Sequence, residues 1–226
     1  MPGRRDDPMK VLVFDLDDTL YEELSYVRSG FQAVAAAMED RFGINREEAF
    51  QLMWDRLKYG RGKIFDEMLQ HYRLYSKTLV QKCIGIYRHH EPDIKLHHSA
   101  DRCLDRFRDY PIYIVTDGHK IVQHRKLLAL GLYNRVKFCY ITHRYGIKHA
   151  KPSPYCFLHI VRKEKIVPND VVYIADNPYK DFVGIKPFGF RTIRIMQGNY
   201  KHVEMPLSYE AEHRIFSLDE LDRYLV

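Results

Sequence analysis

The sequence predicts an α/β protein, a mostly parallel sheet covered on both faces, with an all-helical segment inserted after the first strand. Three observations carry this. Val11-Leu12-Val13-Phe14 is an apolar, β-forming run that breaks into Asp15-Leu16-Asp17-Asp18-Thr19-Leu20, as a strand buried on both faces does where its end meets solvent. From about Tyr21 to about His98 only helical spacing is found. From Ala100 onward short apolar runs alternate with helical stretches, the pattern of a sheet with crossover helices.

The helical segment reads as a series of short helices. Phe31, Val34, Ala35 and Met38 fall on one helix face, which Gly43 closes. Ala49, Leu52, Met53 and Leu57 mark a second helix, and Gly60-Arg61-Gly62-Lys63 breaks it. Ile64, Met68, Leu69 and Tyr72 mark a third; Leu79, Cys83, Ile86 and Tyr87 a fourth, ending before Pro92. Leu104 and Phe107 then suggest a helix running to Tyr110-Pro111. Further strands are expected at Ile112–Thr116, from Val136 to Ile141, at Val171–Ala175 and at Arg191–Ile195. Ile121, Val122, Leu128 and Leu130 mark the helix between the second and third strands, closed by Gly131. Ser153-Pro154 is a helix start, a capping hydroxyl with proline at the first position. Ser217-Leu218-Asp219-Glu220 opens a last helix with a capping box.

Composition narrows the function. Apolar residues make up 46% and charged residues 29%, ordinary for a globular protein with a real core. No apolar run approaches the ~20 residues that span a bilayer, so no membrane partner is expected. Met1 to Pro8 has no apolar segment after Arg4-Arg5 and does not read as a secretory signal. Cys83, Cys103, Cys139 and Cys156 form no C-x-x-C pair, which argues against a zinc or redox site and places the chain in a reducing cytoplasm. The net charge is +6, but the basic residues are scattered without a nucleic-acid module, so no nucleic-acid partner is expected. A phosphorylated small molecule accounts for the charge equally well.

In parallel sheets, ligands bind beyond the carboxyl ends of the strands. Asp15, Thr116 and Asp176 each stand at that end of a different strand, and Asp117 follows one of them. A carboxylate can attack phosphorus and split hydrolysis into two steps. The approaching phosphate is anionic, so a hard cation is needed, and magnesium held by carboxylates is the natural agent. Asp15 and Asp176 are the side-chain ligands in this reading, and Asp17 can add a backbone carbonyl. The Asp17 carboxyl is then available to protonate the leaving oxygen and to deprotonate water. Thr116 can donate to a phosphate oxygen, and Lys151 can balance the charges. Asp18 reads as a local cap. Thr19 is either a cap or a group near the phosphate.

These residues carry a resemblance. Asp15-Leu16-Asp17-Asp18-Thr19-Leu20, Thr116-Asp117-Gly118, Lys151-Pro152-Ser153-Pro154-Tyr155-Cys156-Phe157 and Asp176-Asn177-Pro178-Tyr179-Lys180-Asp181 resemble, in order, the four motifs of the haloacid dehalogenase-like superfamily. The likeness is to its magnesium-dependent phosphatase branch. It implies a Rossmann-like core at 1–22 and 96–226 and a C1-type helical cap at 23–95. It implies Asp15 as nucleophile and metal ligand, Asp17 as general acid/base binding metal through its carbonyl, and Asp176 as the remaining protein ligand. Thr116 and the Asp117 backbone N–H would hold phosphate, Lys151 would steady nucleophile and phosphate, and Asp181 would orient Lys151 or a metal-bound water. The chain departs from the pattern at Ala175, where glycine is usual, and at Asp117, where asparagine is common. Arg61 sits where a cap loop could reach substrate, with Tyr21 and Tyr26 as weaker candidates. His89-His90 and His97-His98 imply no ligand geometry. The function expected is hydrolysis of a small phosphate monoester, such as a sugar phosphate or nucleotide, through an aspartyl-phosphate. The alternatives are a haloacid dehalogenase, a phosphomutase, or a binding protein on the same scaffold.

Overall fold

The computed structural model describes residues 11–225; the reading of Met1 to Pro8 lies outside them. In chain order the principal elements are β1 (Val11–Phe14), α1 (Glu23–Phe42), α2 (Arg46–Arg56), α3 (Ile64–His71), α4 (Lys77–His89), α5 (His98–Arg106), β2 (Ile112–Thr116), α6 (Lys120–Ala129), β3 (Phe138–Ile141), α7 (Tyr155–Glu164), β4 (Val171–Ala175), β5 (Arg191–Ile195) and β6 (His213–Ile215). They form two compact units. One comprises the described residues up to Glu23 and those from Lys95 onward; the other is Leu24–Ile94.

The first unit is built on a six-stranded parallel sheet in the order β3-β2-β1-β4-β5-β6. The chain steps outward from β1 to β3, then returns to the other side of β1 with β4. That reversal makes the carboxyl ends of β1, β2 and β4 the place for a ligand. Side chains alternate between faces with period two. Val11, Val13, Tyr113, Val115, Tyr173 and Ala175 share one core with Phe157 and Ile160 of α7. Leu12, Phe14, Ile112, Ile114, Val172 and Ile174 point the other way and are equally buried. Continuous apolar strands are what such two-sided burial demands, each side chain contributing roughly 1.5–3 kcal/mol.

The second unit is all-helical. Val34, Ala35, Met38, Ala49, Met53, Met68 and Leu69 form its core. Gly43 adopts φ +68° and ends α1, the left-handed stop that glycine takes at little cost. Asn45 and Ser76 cap α2 and α4 by accepting from the Glu48 and Leu79 amides at 3.1 and 3.2 Å. Arg61 lies exposed in the connection before α3. Among the described residues, no helix is long and apolar enough to cross a membrane.

Five local expectations need correction. The third strand starts at Phe138, because the Arg135 and Val136 amides both bond to Leu132 O (3.1 and 3.2 Å) and hold the chain in a turn up to there. Helix α5 stops at Arg106, short of Tyr110-Pro111, where a turn follows. Helix α7 starts at Tyr155, with Ser153 Oγ accepting from its amide at 3.4 Å. The capping box at Ser217 and Glu220 is present, but Leu218–Tyr224 winds as a 3₁₀ helix that buries Leu218 and Leu221, three apart as that winding aligns them. The inward face of α6 also differs from the expected apolar set. Leu128 is exposed, while Gln123 and Lys126 are buried beside Leu127.

Candidate active site

Asp15 follows β1 directly, and its amide donates to Ile174 O of β4 at 2.9 Å. The backbone ladder therefore continues into the first reactive residue. Thr116 ends β2, beside β1, and Asp176 follows β4 on the other side. The structure thus brings these groups to neighbouring strand ends, and all are buried.

Lys151 completes the centre. Its Nζ lies 2.7 Å from Asp15 Oδ1 and 2.9 Å from Asp181 Oδ1, with the side chain 1% exposed. Asp181 is held from two further directions, accepting from Tyr173 Oη at 2.9 Å and the Asn177 amide at 3.0 Å. Its Oδ1 is shared between Lys151 and Tyr173, and the Asn177 amide holds Oδ2. The loop that presents Lys151 is fixed by close approach: a Cβ on Gly184 would fall 1.6 Å from the Pro152 carbonyl oxygen. Only glycine lets the two backbones meet there.

Asp15, Asp176 and Asp181 each offer a carboxylate oxygen, all within 4.8 Å of one another. Burial, reinforced by Asp181, pushes the Asp15 carboxyl up to about 6 against the pull of Lys151. Burial, then Asp181 and Asp15, pushes Asp176 well above the ordinary carboxylate range. Crowded, buried, all-oxygen donors of this kind suit a hard divalent cation. The Oγ1 atoms of Thr19 and Thr116 are buried and have no hydrogen-bond partner among the described residues. Hydroxyls left so, one ending β2 and one in the turn after β1, suit an oxyanion.

The raised carboxyls set a pH dependence. A folded pKa above the unfolded value means that the folded state keeps a proton the unfolded state releases. Without metal, stability is then lost as pH rises from about 4 through about 6. A divalent cation relieves that repulsion only once the protons have left. The gain in Tm from added divalent cation is expected to be several-fold larger at pH ~7.5 than at pH ~5 by calorimetry. An equal gain at both pH values would contradict this assignment.

Asp17 does not join the carboxylate cluster. Its Oδ1 accepts from Tyr21 Oη at 2.5 Å and from Lys126 Nζ at 2.6 Å, and its Oδ2 accepts from Gln123 Nε2 at 3.0 Å. Burial would raise this carboxyl, but Lys126 and the three hydrogen bonds hold it below the ordinary range. The Asp117 side chain turns to Thr142 Oγ1 (2.5 Å) and the Lys151 amide (3.2 Å), with Lys180 Nζ at 3.6 Å. The extra negative charge of this residue is thereby balanced. Asp18, at φ +51°, accepts from the Glu23 amide at the start of α1 at 2.8 Å, the cap expected of it. Arg61 belongs to the helical unit.

Sequence reasoning missed two sets of residues. Gln123 and Lys126 were hidden in a helix read by its apolar spacing. Arg194, read as part of a strand, is fully buried and donates to Asp176 O (3.2 Å), Tyr200 O (2.5 Å), Val203 O (3.0 Å) and Glu210 Oε2 (2.7 Å). It ties the backbone of Asp176 to the segment after β5. A charged residue between Ile193 and Ile195 was the available signal for it.

A parallel sheet with carboxylates, a lysine and hydroxyls at its switch point is an arrangement of the α/β class suited to hydrolytic chemistry. Residues 9–189 match the model of the haloacid dehalogenase-like hydrolases, and the chain belongs to that family. It is 26% identical over 223 residues to a glyceraldehyde 3-phosphate phosphatase of Methanocaldococcus jannaschii, covering 94% of this chain and 95% of the relative. It is 24% identical to (S)-2-haloacid dehalogenase 1 of Pseudomonas sp., covering 97% and 98%. Among solved structures, the fold is shared with the HAD hydrolase YfnB of Bacillus subtilis, bound to magnesium, at TM-score 0.67, 19% identity and 97% and 99% coverage.

Proposed function

We propose that this chain is a magnesium-dependent phosphatase that hydrolyses a small phosphate monoester through an aspartyl-phosphate on Asp15. The observation that carries the reading is the meeting of Asp15, Thr116, Lys151 and Asp176 at three adjacent strand ends. Magnesium, bound by the Asp15 and Asp176 carboxylates and the Asp17 carbonyl, would neutralise charge on the transferring group. An Asp15 oxygen attacks phosphorus as the bond to the leaving oxygen breaks; Asp17, ionised beside Lys126 in the free protein, takes up a proton as the substrate binds and passes it to that oxygen. Asp17 then takes a proton from the water that attacks the acyl phosphate, releasing phosphate and restoring the Asp15 carboxylate. Lys151 holds Asp15 in place and offsets negative charge, while Thr116 Oγ1 and the Asp117 N–H take phosphate oxygens.

The full-length likeness to a glyceraldehyde 3-phosphate phosphatase supports a short phosphorylated carbon chain among the substrates to try first. A dehalogenase would need neither a metal cluster nor an acid at position 17, so the carboxylates beyond Asp15 favour the phosphatase. We assign choice of leaving group to the helical unit as a cap, with Arg61 its candidate contact. The test is phosphate release from glyceraldehyde 3-phosphate, sugar phosphates, nucleotides and an aryl phosphate, with magnesium or with chelator. Release is expected only with metal, and kcat/KM ranks the substrates. Halide release from a 2-haloacid without phosphate release would overturn the proposal.

A further inference from the structure

The structure assigns Tyr21, Gln123 and Lys126 as a clamp that positions the Asp17 carboxylate, anchoring Oδ1 and leaving Oδ2, on the side of β2, as the oxygen that meets the substrate. This inference rests on the phosphatase reading above. Its basis is the contact set. Oδ1 is taken by two donors, Tyr21 Oη at 2.5 Å and Lys126 Nζ at 2.6 Å, whereas Oδ2 has Gln123 Nε2 at 3.0 Å. The same Nε2 donates to Asp117 O at 3.0 Å, which ties Oδ2 to the residue after Thr116.

A packing role alone explains these residues poorly. The Lys126 side chain is 3% exposed and sits on the inward face of α6, where an apolar residue would avoid the cost of desolvating an ammonium. Buried ion pairs of this kind contribute little net stability, so what Lys126 adds at this position is orientation. The backbone is shaped to admit the amide as well. Gly118 has φ +139°, and a Cβ there would lie 2.7 Å from Gln123 Nε2. The clamp has a second consequence. Asp17 is two residues from Asp15, yet its carboxylate is absent from the cluster formed by Asp15, Asp176 and Asp181. Lys126 serves as its counter-charge, so a divalent cation bound at the cluster does not draw Asp17 in as a side-chain ligand. A carboxylate spent on metal could not attend to the leaving oxygen.

The test exploits leaving groups. A nitrophenolate departs without a proton, whereas an alkoxide needs one, so loss of a positioned acid shows in kcat/KM for the alkyl ester. In Lys126→Met, the ratio of aryl to alkyl kcat/KM is expected to rise by about 10²-fold. Asp17→Asn should show the same signature, and the double variant should lose no more than Asp17→Asn alone, because both act through one carboxylate. Equal losses on the two esters, or additive losses in the double variant, would overturn the clamp. If Lys126→Met fails to fold, Gln123→Leu and Tyr21→Phe each remove one donor without stranding a buried charge. They should move the ratio the same way, and an unchanged ratio in both would equally overturn it. Failure of the phosphatase reading is distinct: the wild type would then release phosphate from neither ester.

Discussion

Asp15→Asn is expected to lower kcat for phosphate release by at least about 10⁴-fold while leaving the protein folded. Loss of a covalent nucleophile is among the largest single effects in catalysis, because the groups around it act only as a unit. Folding should survive, since Lys151 keeps Asp181 at 2.9 Å as a buried partner and the amide is close in shape to the carboxyl. Removing a carboxyl that burial holds at about 6 also removes like-charge repulsion from Asp181 and Asp176. Without metal, the variant should therefore melt no lower than the wild type near neutral pH. A variant that kept a tenth of wild-type activity would exclude Asp15 as nucleophile.

Lys151→Met is expected to damage both stability and turnover. The lysine is paired with Asp15 and Asp181 in an almost fully buried site, and those partners hold it protonated against the cost of burial. Removing one side of a buried pair costs about 3–5 kcal/mol. For a chain of this size that corresponds to a fall in Tm on the order of 10 °C. The loss should be largest without metal and above pH ~6, where Asp15 is ionised, and added magnesium should recover part of it. Turnover should fall by about 10²–10³-fold even where the protein is folded, as when a preorganised electrostatic group is removed. Thermal unfolding and single-substrate kinetics on the same preparation separate the two effects. A variant as stable and active as the wild type would remove Lys151 from the centre.

What was legible in the sequence follows from how burial writes itself into a chain. β1, β2 and β4 are buried on both faces, so each is an apolar run whose polar stop marks its end. Those stops are Asp15, Thr116 and Asp176, and the site could be assembled from them. β6 was not legible because it is three residues long and begins with the exposed His213 and Arg214, pairing only with β5 at the sheet edge. The clamp residues were obscured for the opposite reason. Gln123 and Lys126 are polar groups turned inward, and a search for apolar spacing places such residues on the solvent side. Their burial makes sense only once Asp17 is seen to face them. Arg194 was passed over in the same way, since its partners are backbone carbonyls and Glu210, and neither leaves a pattern near it in the chain. Asp181 came from motif resemblance, and its hold on Lys151 is a matter of distance that spacing alone does not supply.

The central claim is a covalent phosphoryl group on Asp15. Quenching turnover of an aryl phosphate with borohydride, then mapping peptides by mass spectrometry, converts an acyl phosphate to homoserine at the residue that carried it. The account predicts homoserine at position 15, dependent on both substrate and magnesium and absent from Asp15→Asn. Reduction at Asp17 or Asp176, or steady turnover with no reduced aspartate at all, would contradict it.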